Sequence, residues 1–274
     1  MSDSQVSVGA ALSYAWNLWR GHWRQVWGVL ALNALACTVV YAGMFSDNAE
    51  LVLTGGVGLL FTGYAAYGAM IRLAFAADHP DDPQFRLGSL GLQWGRMELR
   101  MLGGQLLLLL FLLILLLLLV VLVLVPPMAV MMSKGGPLPA TMTEAQLQQI
   151  LGPNGMMALQ IGMAAVQLVL FLVYIRLSLY LVASAESGRI SVLKTWRLTR
   201  GNFWRIFAAT VIIGLPTAAI VSLGGLPTDG QPAPLPPSEI FLYSLICGGW
   251  AGAAAVPLAA GVQAYFYRNL RPLS

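Results

Sequence analysis

Residues 106 to 125 read Leu106-Leu107-Leu108-Leu109-Leu110-Phe111-Leu112-Leu113-Ile114-Leu115-Leu116-Leu117-Leu118-Leu119-Val120-Val121-Leu122-Val123-Leu124-Val125, without one polar side chain. A helix of this length rises about 30 Å, the thickness of a bilayer's hydrocarbon core. A strand of a membrane barrel would alternate apolar and polar residues; here both faces are apolar. The stretch belongs to a charge-free run from 101 to 133, and five further charge-free runs cover 25–46, 51–71, 145–175, 206–228 and 240–267. Each is long enough to span. Only 9% of the 274 residues are charged, against roughly 25% in a soluble domain. The fold class expected is all-α: a polytopic membrane protein with six transmembrane helices, forming a single integral membrane domain over 1–274.

The sparse charges are sorted by side. With six spans the termini share a face, and fourteen of the fifteen basic residues fall on that face; Lys134 alone falls on the other. The positive-inside rule then places both termini in the cytoplasm. Asp47, Glu50, Glu144, Asp229 and Glu239 lie in the opposite loops and make them net negative. The formal charge of +4 is thereby explained as a topology signal, and nucleic-acid binding is not expected. The first 19 residues carry one charge, Asp3, and Arg20 and Arg24 stand directly before the first span. This is not the layout of a cleaved signal peptide, so the span is expected to be retained. Cys37 and Cys247 each fall within a span and read as small apolar side chains.

Three related segments precede the first, third and fifth spans. They are Trp16-Asn17-Leu18-Trp19-Arg20-Gly21-His22-Trp23-Arg24, Trp94-Gly95-Arg96-Met97-Glu98-Leu99-Arg100, and Trp196-Arg197-Leu198-Thr199-Arg200-Gly201-Asn202-Phe203-Trp204-Arg205. The second, fourth and sixth spans close alike, in Ile71-Arg72-Leu73, Ile175-Arg176-Leu177 and Tyr267-Arg268-Asn269. This pattern predicts three repeats of an amphipathic elbow helix plus a transmembrane hairpin, over approximately 7–78, 88–187 and 190–270. Ser7, Ser89 and Ser191 are the expected N-caps, and Gly21 and Gly201 the expected bends. Seven of the eight Trp residues lie in or beside the elbows. Trp16, Trp19, Trp23, Trp94, Trp196 and Trp204 read as interfacial anchors, because indole rings settle at headgroup depth. Lys194, Arg197 and Arg200 recur every three residues opposite Val192, Leu193 and Trp196.

Taken together, the six spans, the elbow from Trp196 to Arg205, the Ile175-Arg176-Leu177 closure and the C-terminal Tyr267-Arg268 resemble a broad group of bacterial six-helix inner-membrane proteins. That group includes the membrane domain fused to some glycerophosphodiester phosphodiesterases. The resemblance is specific over 187–206 and implies fold and location. No segment outside the spans is long enough for a soluble phosphodiesterase domain, so the relatives' enzymatic activity is not carried over.

Chemistry inside the membrane is the remaining question. An ionisable residue at a span boundary is a candidate site by default; Arg72 and Arg176 qualify, with Glu98, Asp78 and Glu186 as available counter-charges. Arg72, Arg176, Lys194, Arg197, Arg200 and Arg205 are the candidate lipid- or partner-binding residues, although long basic side chains also snorkel to phosphates without further purpose. Asp78-His79-Pro80-Asp81-Asp82 reads as a solvated turn rather than a metal loop. No pair of His residues at metal spacing, phosphate loop or Ser, His and Asp set is present, so neither catalysis, metal nor cofactor is expected. Gly248 and Gly252 form a small-residue pair suited to helix packing or to a homo-oligomer. Asn33, Gln160 and Gln167 are expected to bond across helices. The expected function is non-enzymatic, with a basic, Trp-rich cytoplasmic face engaging anionic lipid or a protein partner. The alternative is a small transporter or lipid-handling protein with a path between repeats near Arg72 and Arg176.

Overall fold

The computed structural model describes residues 6–133, 144–225 and 236–271. They form helices joined by turns, with no strand among them. In chain order these are α1 (Val8–Phe45), α2 (Ala49–Phe75), α3 (Arg96–Ser133), α4 (Glu144–Leu177), α5 (Tyr180–Ser187), α6 (Thr195–Leu198), α7 (Phe203–Gly225), α8 (Pro237–Gly249) and α9 (Val256–Leu270), with 3-10 turns at Pro83–Phe85 and Ser89–Gly91. A π-helical segment, Trp250–Ala255, joins α8 to α9. Six helices among the described residues are long and apolar enough to cross a membrane, so the chain is a membrane protein by length and composition.

Two compact units result, Met1–Gly104 with Leu177–Ser274, and Gln105–Arg176. In the second unit, Gly162 of α4 lies against Val123 of α3, where a Cβ would stand 2.8 Å from Val123 Cγ1. The poly-leucine stretch lies in α3, which continues through Pro126 and Pro127 to Ser133. Each of those prolines forfeits one backbone donor, but the helix runs on past them. In α4, Gly152 adopts φ +70° ahead of Pro153, and the helix kinks there. The basic Lys134 lies outside the described residues, as does Asp229. Gln160 and Gln167 are exposed and make no hydrogen bond among the described residues.

The first unit is built around α1, α2 and α9. Its core combines small residues, Ala65, Ala66, Ala69, Ala74, Ala260 and Ala264, with Met70, Ile71 and Phe75. Small side chains suit a membrane bundle, where lipid is as apolar as leucine and close backbone approach supplies the attraction. Gly252 and Gly248 serve this packing: their α carbons face the α1 backbone at Asn33, Ala34 and Thr38. Asn33, fully buried, donates from Nδ2 to the Gly252 carbonyl at 3.0 Å and accepts from Thr62 Oγ1 at 3.1 Å. It therefore ties α1 to both α2 and the π segment. Asn33→Ala is expected to cost about 1 kcal/mol, read as a thermal midpoint lowered by a few degrees in detergent.

The elbows differ from one another. Ser7 caps α1 as expected, its Oγ accepting from Ala10 N at 3.3 Å. But α1 then runs without a break through Gly21 to Phe45, so the first elbow and the first span are one rod. Gly21 has no close neighbour and no positive φ; a glycine tolerates a bend without imposing one. Before α3 the chain is non-helical over 92–95. Ser89 starts a 3-10 turn instead of capping a helix, and Gly88 takes the cap position. The N-terminus of α3 is closed by Glu98, whose Oε2 accepts from Gly95 N at 2.9 Å, the reach-back half of a capping box. The third segment bends where predicted: Gly201 has φ +86° between α6 and α7. Ser191 caps nothing; its backbone N–H donates to Ser184 Oγ at 3.0 Å, and α6 has no side-chain cap.

Candidate functional site

Charged residues of the first unit gather where α2, α5 and α9 end, and they are organised in three layers. The innermost is a buried pair. Arg72, in the last turn of α2, is 2% exposed and meets the fully buried Glu98 in a two-pronged contact, Nη1 to Oε1 at 2.5 Å and Nη2 to Oε2 at 3.0 Å. Its Nε donates to the Gln84 carbonyl at 3.1 Å. A charge out of water is tolerated only when paired and hydrogen-bonded, and this arrangement meets both conditions. Gln84 extends the layer: its side chain accepts from Arg100 at 3.0 Å and donates to the Ala185 carbonyl at 3.0 Å.

Outside this lies a half-exposed network. Arg268 Nη2 donates to Asp78 Oδ1 at 2.6 Å and Nη1 to Tyr14 Oη at 3.2 Å. Arg271 bonds Glu186 and stands 3.7 Å from Asp78 Oδ2. Tyr267 donates its hydroxyl to Glu186 Oε2 at 2.8 Å. Both arginines lie over the Phe75 ring, at 5.8 and 5.9 Å from its centroid. His79 stacks on Phe85 with centroids 4.9 Å apart; its Nε2 has no hydrogen-bond partner and is 4.0 Å from Glu186 Oε1. The Asp78–Asp82 turn is thus an ordered junction: Asp82 caps the 3-10 turn through Gln84 N at 2.8 Å. Among the described residues no group of three or more His, Cys, Asp or Glu is placed to share a metal.

The third layer is an open cavity of about 610 Å³, lined by Ser187, Ser191, Lys194, Arg197, Tyr267 and Arg271 together with Ala183, Leu193 and Leu198. The fold forms it by ending α5 at Gly188 (φ +65°), returning the chain through 189–194, and setting the single turn of α6 beside the α9 terminus. The side chains of Lys194 and Arg197 are exposed at its wall and make no ion pair or hydrogen bond among the described residues. Asp78 and Glu186 balance Arg268 and Arg271 one for one, so Lys194 and Arg197 leave two uncompensated positive charges. Leu193, about 70% exposed, is the apolar residue of the lining that stands most open; Ile190, Trp196 and Trp204 are also exposed but are not among the lining residues.

The candidate residues named from sequence therefore separate. Lys194 and Arg197 line the cavity together. Arg200 is exposed on the adjacent turn, and Arg205 donates to Asn202 Oδ1 at 2.9 Å; neither is among the lining residues. Arg72 is enclosed by Glu98, and Arg176 occupies the last turn of α4 in the other unit. Trp16, Trp23, Trp94, Trp196 and Trp204 are exposed, whereas Trp19 is partly covered and packs on Trp16 at 5.1 Å between centroids. Trp94 rests against Phe61 at 5.4 Å. Sequence reasoning missed Arg271, Tyr267, Ser187 and Gln84 as members of the site. The only signal was the excess of polar residues just past the ends of α2, α5 and α9, which does not say which of them meet.

Comparison of the chain with family models, with curated proteins and with solved structures finds no match.

Proposed function

We propose that this is a non-enzymatic, multi-pass protein of the bacterial inner membrane whose basic cytoplasmic face holds anionic phospholipid in the cavity beside α6. In this reading both termini are cytoplasmic, as the confinement of basic residues argues. The three Trp-basic segments are copies of one elbow-and-hairpin unit, of which the third has diverged into the binding copy. The observation carrying the proposal is the pair of cations, Lys194 and Arg197, left without counter-charge at a cavity that the exposed Leu193 also lines. Unpaired cations attract phosphate, and an apolar side chain beside them suits the headgroup boundary. The transport reading has less support, because Arg72, which would line its path, is occupied by Glu98 and Gln84.

Lys194→Ala/Arg197→Ala tests the proposal. The intact protein is extracted in mild detergent and its retained lipids are quantified. Wild type is expected to be enriched in anionic over zwitterionic phospholipid. The double variant is expected to lose about 1 kcal/mol per basic residue, roughly thirtyfold in all, while Arg200→Ala, outside the cavity, loses far less. Equal losses in the two variants would reduce the cavity to a diffuse basic surface. Unchanged lipid with loss of a co-purifying protein would favour a protein partner instead.

A further inference from the structure

We infer that the cavity takes a lipid phosphomonoester, a headgroup with two negative charges and three terminal oxygens, and that this headgroup draws Arg271 away from Glu186. The inference rests on the proposed lipid-binding function and narrows it. Its first support is charge balance. Asp78 and Glu186 neutralise Arg268 and Arg271, which leaves Lys194 and Arg197 as a net +2. A phosphodiester headgroup offers one negative charge and two free oxygens and would leave half of that uncompensated. A phosphomonoester offers about −1.5 to −2 and a third acceptor oxygen.

The second support is the donor set. Lys194 supplies an ammonium, and Arg197 and Arg271 supply guanidinium forks that match phosphate oxygens two at a time. Arg271 is shared between the two layers: it lines the cavity and it bonds Glu186. Glu186 can release it at limited cost, because it keeps the Tyr267 hydroxyl at 2.8 Å and has the unpartnered His79 Nε2 4.0 Å away as a replacement. Ser191 adds a donor. Ser187 Oγ donates to the Arg189 carbonyl at 3.1 Å, so in the 3.3 Å contact between the two hydroxyls Ser191 is the donor, and turning it inward would cost that one contact.

The third support is size and position. About 610 Å³ falls within the range of sites for small organic ligands and leaves space beside a phosphate for a glycerol unit against Ala183, Leu193 and Leu198. Leu193, which lines the cavity, is 70% exposed, an apolar surface that suits a ligand drawn from the membrane.

The test uses the intact protein in detergent, titrated with dioleoyl phosphatidate, dioleoyl phosphatidylglycerol or dioleoyl phosphatidylcholine and read by native mass spectrometry, with glycerol 3-phosphate as soluble competitor. At pH 7.5 phosphatidate is expected to be retained at least fivefold over phosphatidylglycerol. The preference should collapse toward one at pH 5, where a phosphomonoester drops to a single charge. Arg271→Gln should reduce phosphatidate retention more than phosphatidylglycerol retention and so lower the preference. Glu186→Gln, which frees Arg271 without adding bulk, should raise phosphatidate retention severalfold, and it decides the matter if Arg271→Gln fails to fold. Equal retention of the two anionic lipids would overturn this inference and leave the broader function standing. Retention of neither would overturn both. Complete displacement of phosphatidate by millimolar glycerol 3-phosphate would overturn the membrane as the source.

Discussion

Glu98→Ala is expected to leave little folded protein: a sharp loss of the monodisperse peak in detergent size-exclusion and a thermal midpoint lowered by 10 °C or more. The variant strands the Arg72 guanidinium, 2% exposed, without its carboxylate, and removing one partner of a buried pair costs about 3–5 kcal/mol. It also removes the acceptor for Gly95 N at the start of α3. Arg72→Met/Glu98→Leu should recover most of the lost stability, since apolar residues of similar volume often replace a buried pair at no net cost. Gly68→Ala probes the same contact without altering charge. A Cβ there would collide with the Glu98 carboxylate, with Cδ 3.2 Å away, so α2 approaches Glu98 through a glycine. If Glu98→Ala melts within 2 °C of wild type, the pair contributes nothing to the first unit's stability.

That prediction was only partly open to the sequence. Arg72 and Glu98 could each be marked as unusual, one at the end of an apolar run and the other among basic residues, and Glu98 was named as an available counter-charge. Their pairing depends on the path of residues 76–95, which carries little periodicity, and on Gly68, whose role is visible only as the absence of a side chain. The spans were legible because a bilayer demands about 20 consecutive apolar residues, and Leu106–Val125 meets that demand with no help from its neighbours. Helix boundaries were less so: Gly21 stays within α1 while Gly201 bends the chain at φ +86°, and both are followed by polar and aromatic residues. The difference lies in what precedes them. Nine helical residues of uninterrupted pattern, from Leu12 to Arg20, carry α1 across Gly21, whereas only four form α6 before Gly201. For the cavity, sequence spacing put Lys194 and Arg197 on one face. Arg271 joins them from the far end of the chain, through the packing of α9 that no local pattern encodes.

Gly252→Val is expected to be the second severe lesion, and its neighbourhood makes the test sharp. The sequence Gly248-Gly249-Trp250-Ala251-Gly252 offers three glycines, of which Gly248 and Gly252 stand four residues apart as a packing pair. In the bundle they are not equivalent. A Cβ on Gly252 would stand 2.5 Å from Ala34 N and 2.7 Å from the Asn33 carbonyl carbon, and one on Gly248 would stand 2.6 Å from Thr38 Cα, all backbone atoms that no rotamer change can move. A Cβ on Gly249 would meet nothing within 4 Å. Overpacking at side chains costs about 1–3 kcal/mol and more where backbones must part, and separating α1 from the π segment also breaks the Asn33 bond to the Gly252 carbonyl. Gly252→Val and Gly248→Val should therefore abolish the folded peak, with Gly252→Ala already lowering the thermal midpoint by several degrees. Gly249→Ala should match wild type or melt slightly higher, since alanine in a helix gains about 0.4–1 kcal/mol over glycine where space allows. Because lipid solvates leucine as well as protein does, the bundle holds α1 against the last span by backbone proximity, and proximity is what these two glycines supply. Equal tolerance at all three positions would mean that α1 and the π segment are not in contact, and the Asn33 hydrogen bond would fall with that contact.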